Sequence, residues 1–139
     1  MTPSPRLRLG KDTLPLIPCS GAKHEGNTLS NARSILAALD PARAAALATA
    51  RAALRRQARV DERTRMPAYL RYAGHLYQHG ATAIGNAFTA GQPILIVSGG
   101  YGLLHADEPI GMYDKPFVLS DWPADLLGGC LAWISTEQN

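Results

Sequence analysis

Pro93-Ile94-Leu95-Ile96-Val97-Ser98-Gly99-Gly100-Tyr101-Gly102-Leu103-Leu104 is the stretch whose reading decides the fold. Ile94 to Val97 are four aliphatic residues in a row, apolar on both faces, the pattern of a strand buried inside a parallel sheet. A hydroxyl and three glycines follow at once, at the strand end where open α/β sheets bind their ligands. A weaker stretch has the same form: Leu14 to Ile17, interrupted by Pro15 and stopped by Pro18, runs into Cys19-Ser20-Gly21-Ala22-Lys23. The two strand ends, about 80 positions apart, are expected to build one pocket.

Working outward, Ser30 stands where it would cap a helix running to Leu39. Asp40-Pro41 reads as a cap followed by proline at the first helical position. The helix it opens runs to about Val60, is rich in alanine, and carries Leu47 and Leu54 on one face. Arg51, Arg55 and Arg59 recur at i, i+4 and form a stripe along it. Asp61 to Pro67 reads as a charged connection, and Ala68 to Gln78 as mixed with a short helix. Ala81 to Ala90 reads as a helix stopped by Gly91, and 98–113 as a loop. Asp121 is expected to cap a last helix with Trp122 and Pro123 in its first turn.

The expected fold is therefore α/β: a small single domain with a short, mostly parallel sheet and flanking helices. Only two strands are legible, which suits an incomplete version of a larger fold. Residues 1–12 read as a flexible basic arm and 13–139 as one domain.

The chain of 139 residues fits one domain, and 46% hydrophobic residues suffice for a core. No run approaches a membrane span, and Met1 to Lys11 lacks the apolar stretch of a signal peptide, so a cytoplasmic location is expected. Cys19 and Cys130 are the only cysteines and read as reduced thiols; no spacing suggests a metal site. The net charge of +3 hides an asymmetry. Residues 1–71 hold 13 Lys/Arg against 5 Asp/Glu, whereas 72–139 hold one against 6. Such a split fits an anionic partner, with Arg51, Arg55 and Arg59 as the nucleic-acid surface, and equally fits an arginine-rich helix facing the chain's own acidic half.

Three residues are candidates for chemistry. Lys23 can fix an anionic oxygen or act as an amine nucleophile, Asp114 can stabilise a sugar cation or act as a base, and Tyr101 can stack on or orient a base. Cys19, Ser20, Gly21, Gly74, His75, Ser98, Gly99, Gly100, Gly102 and Tyr113 are candidates for the pocket wall, the glycines because they admit close backbone approach. His105, Asp107 and Glu108 add an acid/base group and two carboxylates.

Three segments together resemble one superfamily. They are Ile17-Pro18-Cys19-Ser20-Gly21-Ala22-Lys23, Tyr72-Ala73-Gly74-His75-Leu76-Tyr77, and Val97-Ser98-Gly99-Gly100-Tyr101-Gly102-Leu103-Leu104 with Ile110-Gly111-Met112-Tyr113-Asp114. They are similar to the peroxide-stress protein YaaA family and its small bacterial relatives and, more distantly, to segments of archaeosine synthase. The resemblance implies an α/β fold, a cytoplasmic location, a site formed by these loops, DNA binding and protection against peroxide. The archaeosine synthase likeness implies chemistry on a nucleobase with lysine as the reacting amine. The expected functions are binding of nucleic acid or nucleotides, cleavage or exchange of an N-glycosidic bond or modification of a nucleobase, or a non-enzymatic oligomerising or regulatory role. The expected partners are DNA, RNA, a nucleotide or a second copy of the chain, with no membrane partner and no cofactor.

Overall fold

The computed structural model describes residues 14–27 and 34–138. The expected arm at 1–12 and the expected cap at Ser30 lie outside the described residues. The elements are β1 (Leu16–Pro18), α1 (Pro41–Ala58), β2 (Asp61–Pro67), α2 (Ala68–Arg71), α3 (His75–Thr89), β3 (Leu95–Ser98), β4 (Gly102–His105), β5 (Pro109–Met112) and α4 (Leu126–Gln138). Short 3-10 turns at Ile35–Ala38 and Leu119–Asp121 complete them.

The expectation of a mostly parallel sheet is corrected. β1 and β3 are parallel, with Ile17 opposite Ile96, but β3 and β4 are antiparallel, with Ile96 opposite Leu104, giving the order β1-β3-β4. A separate antiparallel pair joins β2 to β5, with Met66 opposite Ile110 and a bulge between Asp61 and Met66. The reason lies in Ser98-Gly99-Gly100-Tyr101. A parallel connection needs a crossover of a dozen or more residues, whereas this turn reverses the chain within four. Gly102 ends it at φ 80, a left-handed conformation natural to glycine.

The reading of β3 as apolar on both faces holds, for a reason other than parallel pairing. Its side chains alternate between two cores. Ile94 and Ile96, with Leu104 of β4, pack beside Tyr72, Tyr77 and Ile84. Leu95, with Leu103 of β4, packs beside Leu47 and Leu54 of α1 and Leu127, Cys130 and Ile134 of α4. Helices thus cover both faces of the small sheet. Each buried aliphatic side chain contributes about 1.5–3 kcal/mol of transfer free energy.

Asp40 and Pro41 open α1 as expected, although the Asp40 carboxylate bonds Arg43 at 3.0 Å rather than capping the backbone. Arg59 ends α1 in the left-handed conformation at φ 51. Asp61 to Pro67 is strand rather than connection. Arg63, Thr64 and Arg65 are exposed, so β2 carries no apolar alternation to read. α3 begins at His75, six residues before the expected start, because the Gly74 carbonyl already accepts the Tyr77 and Gln78 amides. Asp121 does not cap α4; it lies in the preceding 3-10 turn, with Trp122 buried behind it. Among the described residues no helix is long and apolar enough to cross a membrane.

Candidate functional site

The loop after β1 is sewn down on both sides. The Cys19 amide donates to the Val97 carbonyl at 3.0 Å, extending the β1–β3 ladder by one bond. Lys23 then forms an antiparallel bridge with Tyr72, flanked by Ala73 N–H to Ala22 O (2.8 Å) and His24 N–H to Arg71 O (2.7 Å). The Lys23 backbone is thereby fixed against the α2–α3 junction, over 40 residues away in sequence.

Its side chain lies along aromatic surface. Nζ is 4.2 Å from the centre of the Tyr113 ring and 5.8 Å from that of Tyr72, and it donates to the Gly21 carbonyl at 3.2 Å. Burial lowers the Lys23 pKa; Cys19 and Asp114 oppose the shift and the Arg71 guanidinium adds to it. Arg71 is fully buried. It donates to the carbonyls of His24 (2.9 Å), Thr64 (3.0 Å) and Ile110 (3.4 Å), its Nε has no partner, and no carboxylate pairs with it among the described residues.

Beneath Lys23 lies a closed ring of three buried hydroxyls. Tyr72 donates to Ser98 Oγ at 3.0 Å, Ser98 and Tyr113 are 2.8 Å apart, and Tyr72 and Tyr113 are 2.7 Å apart. The Tyr101 amide also donates to Ser98 Oγ, at 3.1 Å. Burial raises the Tyr72 phenol well above its ordinary range and pushes that of Tyr113 up to about 12, so both remain neutral donors.

Two chambers open in front of this floor. One, of about 580 Å³, is bordered by Gly21, Lys23, Gln57, Arg59, Asp61, Tyr113 and Asp114, among others. The other, of about 500 Å³, is bordered by Cys19, Ser20, Gly21, Val97, Asp114, Lys115, Pro116 and Phe117, among others. Gly21 and Asp114 border both. Two larger apolar cavities, of about 730 and 830 Å³, flank Trp122; the first shares Gln57 with the Lys23 chamber and the second shares Val97 and Phe117 with the Cys19 chamber.

The structure brings Lys23, Asp114, Cys19, Ser20, Gly21 and Tyr113 together and takes other candidates elsewhere. Tyr101 is buried and borders neither chamber; its hydroxyl donates to Glu62 (3.0 Å) and accepts from the Gly111 amide (2.9 Å). Ser98 belongs to the floor rather than the wall. The glycines expected to admit a ligand mostly admit the protein itself. A Cβ on Gly99 would stand 1.8 Å from the Lys115 carbonyl oxygen and one on Gly74 2.4 Å from Ser20 Oγ. Gly100 faces the Tyr113 ring and Gly102 the Trp122 ring. Gly21 alone of these candidates has nothing within 4 Å of that position. His75 is exposed and stacks on His79, with ring centres 6.5 Å apart.

The arginine stripe also divides. Arg51 is not a nucleic-acid surface residue: it is buried, and donates to the carbonyls of Tyr101 (2.9 Å) and Leu103 (2.6 Å) and to Glu108 (2.9 Å). Arg55 faces outward and pairs with Glu62 at 3.5 Å, whereas Arg59 borders the Lys23 chamber. Sequence reasoning missed Arg71 and Phe117. Neither carries a motif signal, since one sits in a four-residue helix and the other in an irregular segment. Among the described residues no three metal-ligating side chains lie together. Comparison with protein-family models, with curated proteins and with solved structures finds no match to this chain.

Proposed function

We propose that the domain is a cytoplasmic enzyme acting at the N-glycosidic bond of a nucleotide or nucleoside, with Lys23 and Asp114 as its reacting pair. The observation that carries this reading is a partly desolvated lysine amine bordering the same chamber as a carboxylate that has no ion pair among the described residues. A lysine held below its ordinary pKa is more often neutral and therefore nucleophilic. Its amine attacks the anomeric carbon as the carbon–nitrogen bond breaks and the electron pair leaves on the base. Asp114 opposes the positive charge that develops on the sugar. The proton shed by the amine passes through Asp114 to the departing base. Ring opening moves the remaining amine proton to the ring oxygen and leaves an imine, which water hydrolyses to the free sugar and the regenerated lysine. Borohydride added during turnover is expected to reduce that imine and leave a sugar adduct on Lys23, read by mass spectrometry, and Lys23→Met is expected to abolish it. Base release without an adduct would remove the imine, and no base release from nucleosides or nucleotides would remove the activity.

A second reading, a YaaA-like protein that binds nucleic acid in peroxide protection, is favoured by the exposed Arg55, Arg56 and Arg59 at the end of α1 and Arg63 and Arg65 on β2. Its binding is expected to weaken steeply with salt as phosphate contacts release counterions. A salt-independent affinity, or none, would remove it.

A further inference from the structure

The two chambers differ in chemistry in a way that orients a ligand. The wall around Cys19 is mainly apolar, with Val97, Pro116 and Phe117, and its polar groups are the Cys19 thiol, the Ser20 hydroxyl, Asp114 and Lys115, the last paired with Asp121. A flat heterocycle fits such a wall, its faces against the apolar groups and its edge toward the polar ones. The wall around Lys23 is the more polar one, with Lys23 and Arg59 beside the carboxylates of Glu25, Asp61 and Asp114. Arg59 borders it and makes no ion pair among the described residues. The buried Arg71 has no carboxylate partner among the described residues and is felt by Lys23. Of the three acids in that wall, Glu25 is exposed to solvent and Asp61 is already held by two bonds to the Arg63 guanidinium, at 3.0 and 2.8 Å. Asp114 stands where the chambers meet. Gly21, which also borders both chambers, adds no obstruction there, because nothing lies within 4 Å of where a side chain would start.

We propose that the ligand is a nucleoside 5′-monophosphate laid across both chambers, with its base against Phe117, its phosphate at Arg59, and its glycosidic carbon between Lys23 and Asp114. The assignment rests on the N-glycosidic reading above and adds to it the requirement for a phosphate and the direction of binding. The sugar is the middle of such a molecule, and the shared junction is the middle of the cavity. The phosphate meets Arg59, whose guanidinium makes no ion pair among the described residues and supplies paired donors. The carboxylate is left at the carbon that becomes cationic, away from the phosphate that would repel it.

Calorimetric titration of the full chain tests this with adenosine and guanosine 5′-monophosphates, their nucleosides, ribose 5-phosphate, inorganic phosphate and a short single-stranded oligonucleotide. The nucleotides are expected to bind at least about ten-fold more tightly than their nucleosides, the effect of one charge-assisted contact. Arg59→Gln is expected to erase that ratio and leave nucleoside affinity unchanged. Phe117→Leu and Phe117→Ala are expected to weaken nucleosides and nucleotides alike while ribose 5-phosphate is unaffected; the leucine variant keeps the apolar volume should alanine disturb folding. Equal affinity for nucleotide and nucleoside would overturn the proposal. So would inorganic phosphate binding as tightly as the nucleotide, the oligonucleotide outcompeting the mononucleotide through Arg59, or Phe117→Leu weakening ribose 5-phosphate. These titrations read binding alone, so mononucleotide binding with the expected Arg59 and Phe117 dependence but without base release would remove the activity and leave the ligand assignment standing.

Discussion

Arg51 and Glu108 form a buried ion pair, Nη1 to Oε2 at 2.9 Å, that ties α1 to the turn before β5. Each partner is bonded further. Arg51 takes the carbonyls of Tyr101 and Leu103, and Glu108 accepts the Ile35 amide at 2.8 Å and the Ser34 hydroxyl at 3.0 Å. The pair thereby holds the end of the β3–β4 turn against the first helices. Removing either partner alone, by Arg51→Ala or Glu108→Ala, strands a buried charge and is expected to cost about 3–5 kcal/mol. Arg55→Ala, which removes only an exposed pair, is expected to cost under about 1 kcal/mol. Urea midpoints compare the three; equal midpoints for Arg51→Ala and Arg55→Ala would show that the pair does not brace the fold.

Gly99 and Gly21 separate packing from access. Gly99→Ala would press a methyl group against the Lys115 carbonyl, where backbone and not a flexible side chain must yield, so the segment carrying Asp114 must shift. The expected result is a loss of stability of about 1–3 kcal/mol or more. Gly21→Ala meets nothing and is expected to keep the melting temperature while narrowing the passage between the chambers. If Gly99→Ala melts like the parent chain, the close approach of the two loops is wrong.

The hydroxyl ring under Lys23 sets the stability at high pH. Burial raises the phenols of Tyr72, Tyr77, Tyr101 and Tyr113 in the folded chain, that of Tyr113 up to about 12. The unfolded chain loses these protons near pH 10, so between 10 and 12 it binds fewer protons than the folded chain and stability falls as pH rises. Denaturation followed across that window is expected to show the fall, and Tyr113→Phe to reduce its slope. At neutral pH, Tyr72→Phe leaves Ser98 and Tyr113 one partner short and is expected to cost about 1–3 kcal/mol. A slope unchanged in Tyr113→Phe would contradict the assignment.

Lys23 is expected to announce its environment by its reactivity. Its folded pKa lies below 10.5, so in the window from that lowered value up to 10.5 the folded chain holds fewer protons at this site than the unfolded chain. Through this group alone, stability rises with pH there, opposite in sign to the tyrosines. Acylation by an amine-selective reagent, resolved peptide by peptide, is expected to reach half its maximal rate at Lys23 at a lower pH than at Lys23 in the urea-unfolded chain. Coincident profiles would show an ordinary solvated lysine.

How much of this could be read beforehand depended on whether a residue's surroundings are local. β3 was legible because four aliphatic residues can only be buried on both sides, and the start of α1 because Asp40-Pro41 is a local signal. β2 was not, since its exposed arginines hide the period of a strand, and β5 lay unseen in what read as a loop. Cys19, Ser20, Gly21 and Lys23 were expected at a pocket from their place after the first strand, whereas Tyr113 and Asp114 were candidates from a loop and a resemblance, since the strand they follow was not legible. The roles of Tyr101 and of Gly74, Gly99, Gly100 and Gly102 were not, because a glycine that admits a ligand and one that admits a neighbouring chain are the same letter.

By itself, then, the sequence determined the helix from Pro41, the two-faced strand at its centre and the chemical character of the loops that follow the strands. These depend on propensity, periodicity and side-chain type within a few residues. Only the tertiary structure decided that β3 turns back on itself, that Arg51 and Arg71 go inward while Arg55 and Arg59 stay out, and that Asp114 stands between two chambers. Those outcomes depend on which groups lie opposite, at distances of a few ångströms and separations of tens of residues. A guanidinium is stable inside a protein only where carbonyls or a carboxylate wait for it, and nothing within the helix itself says where they are.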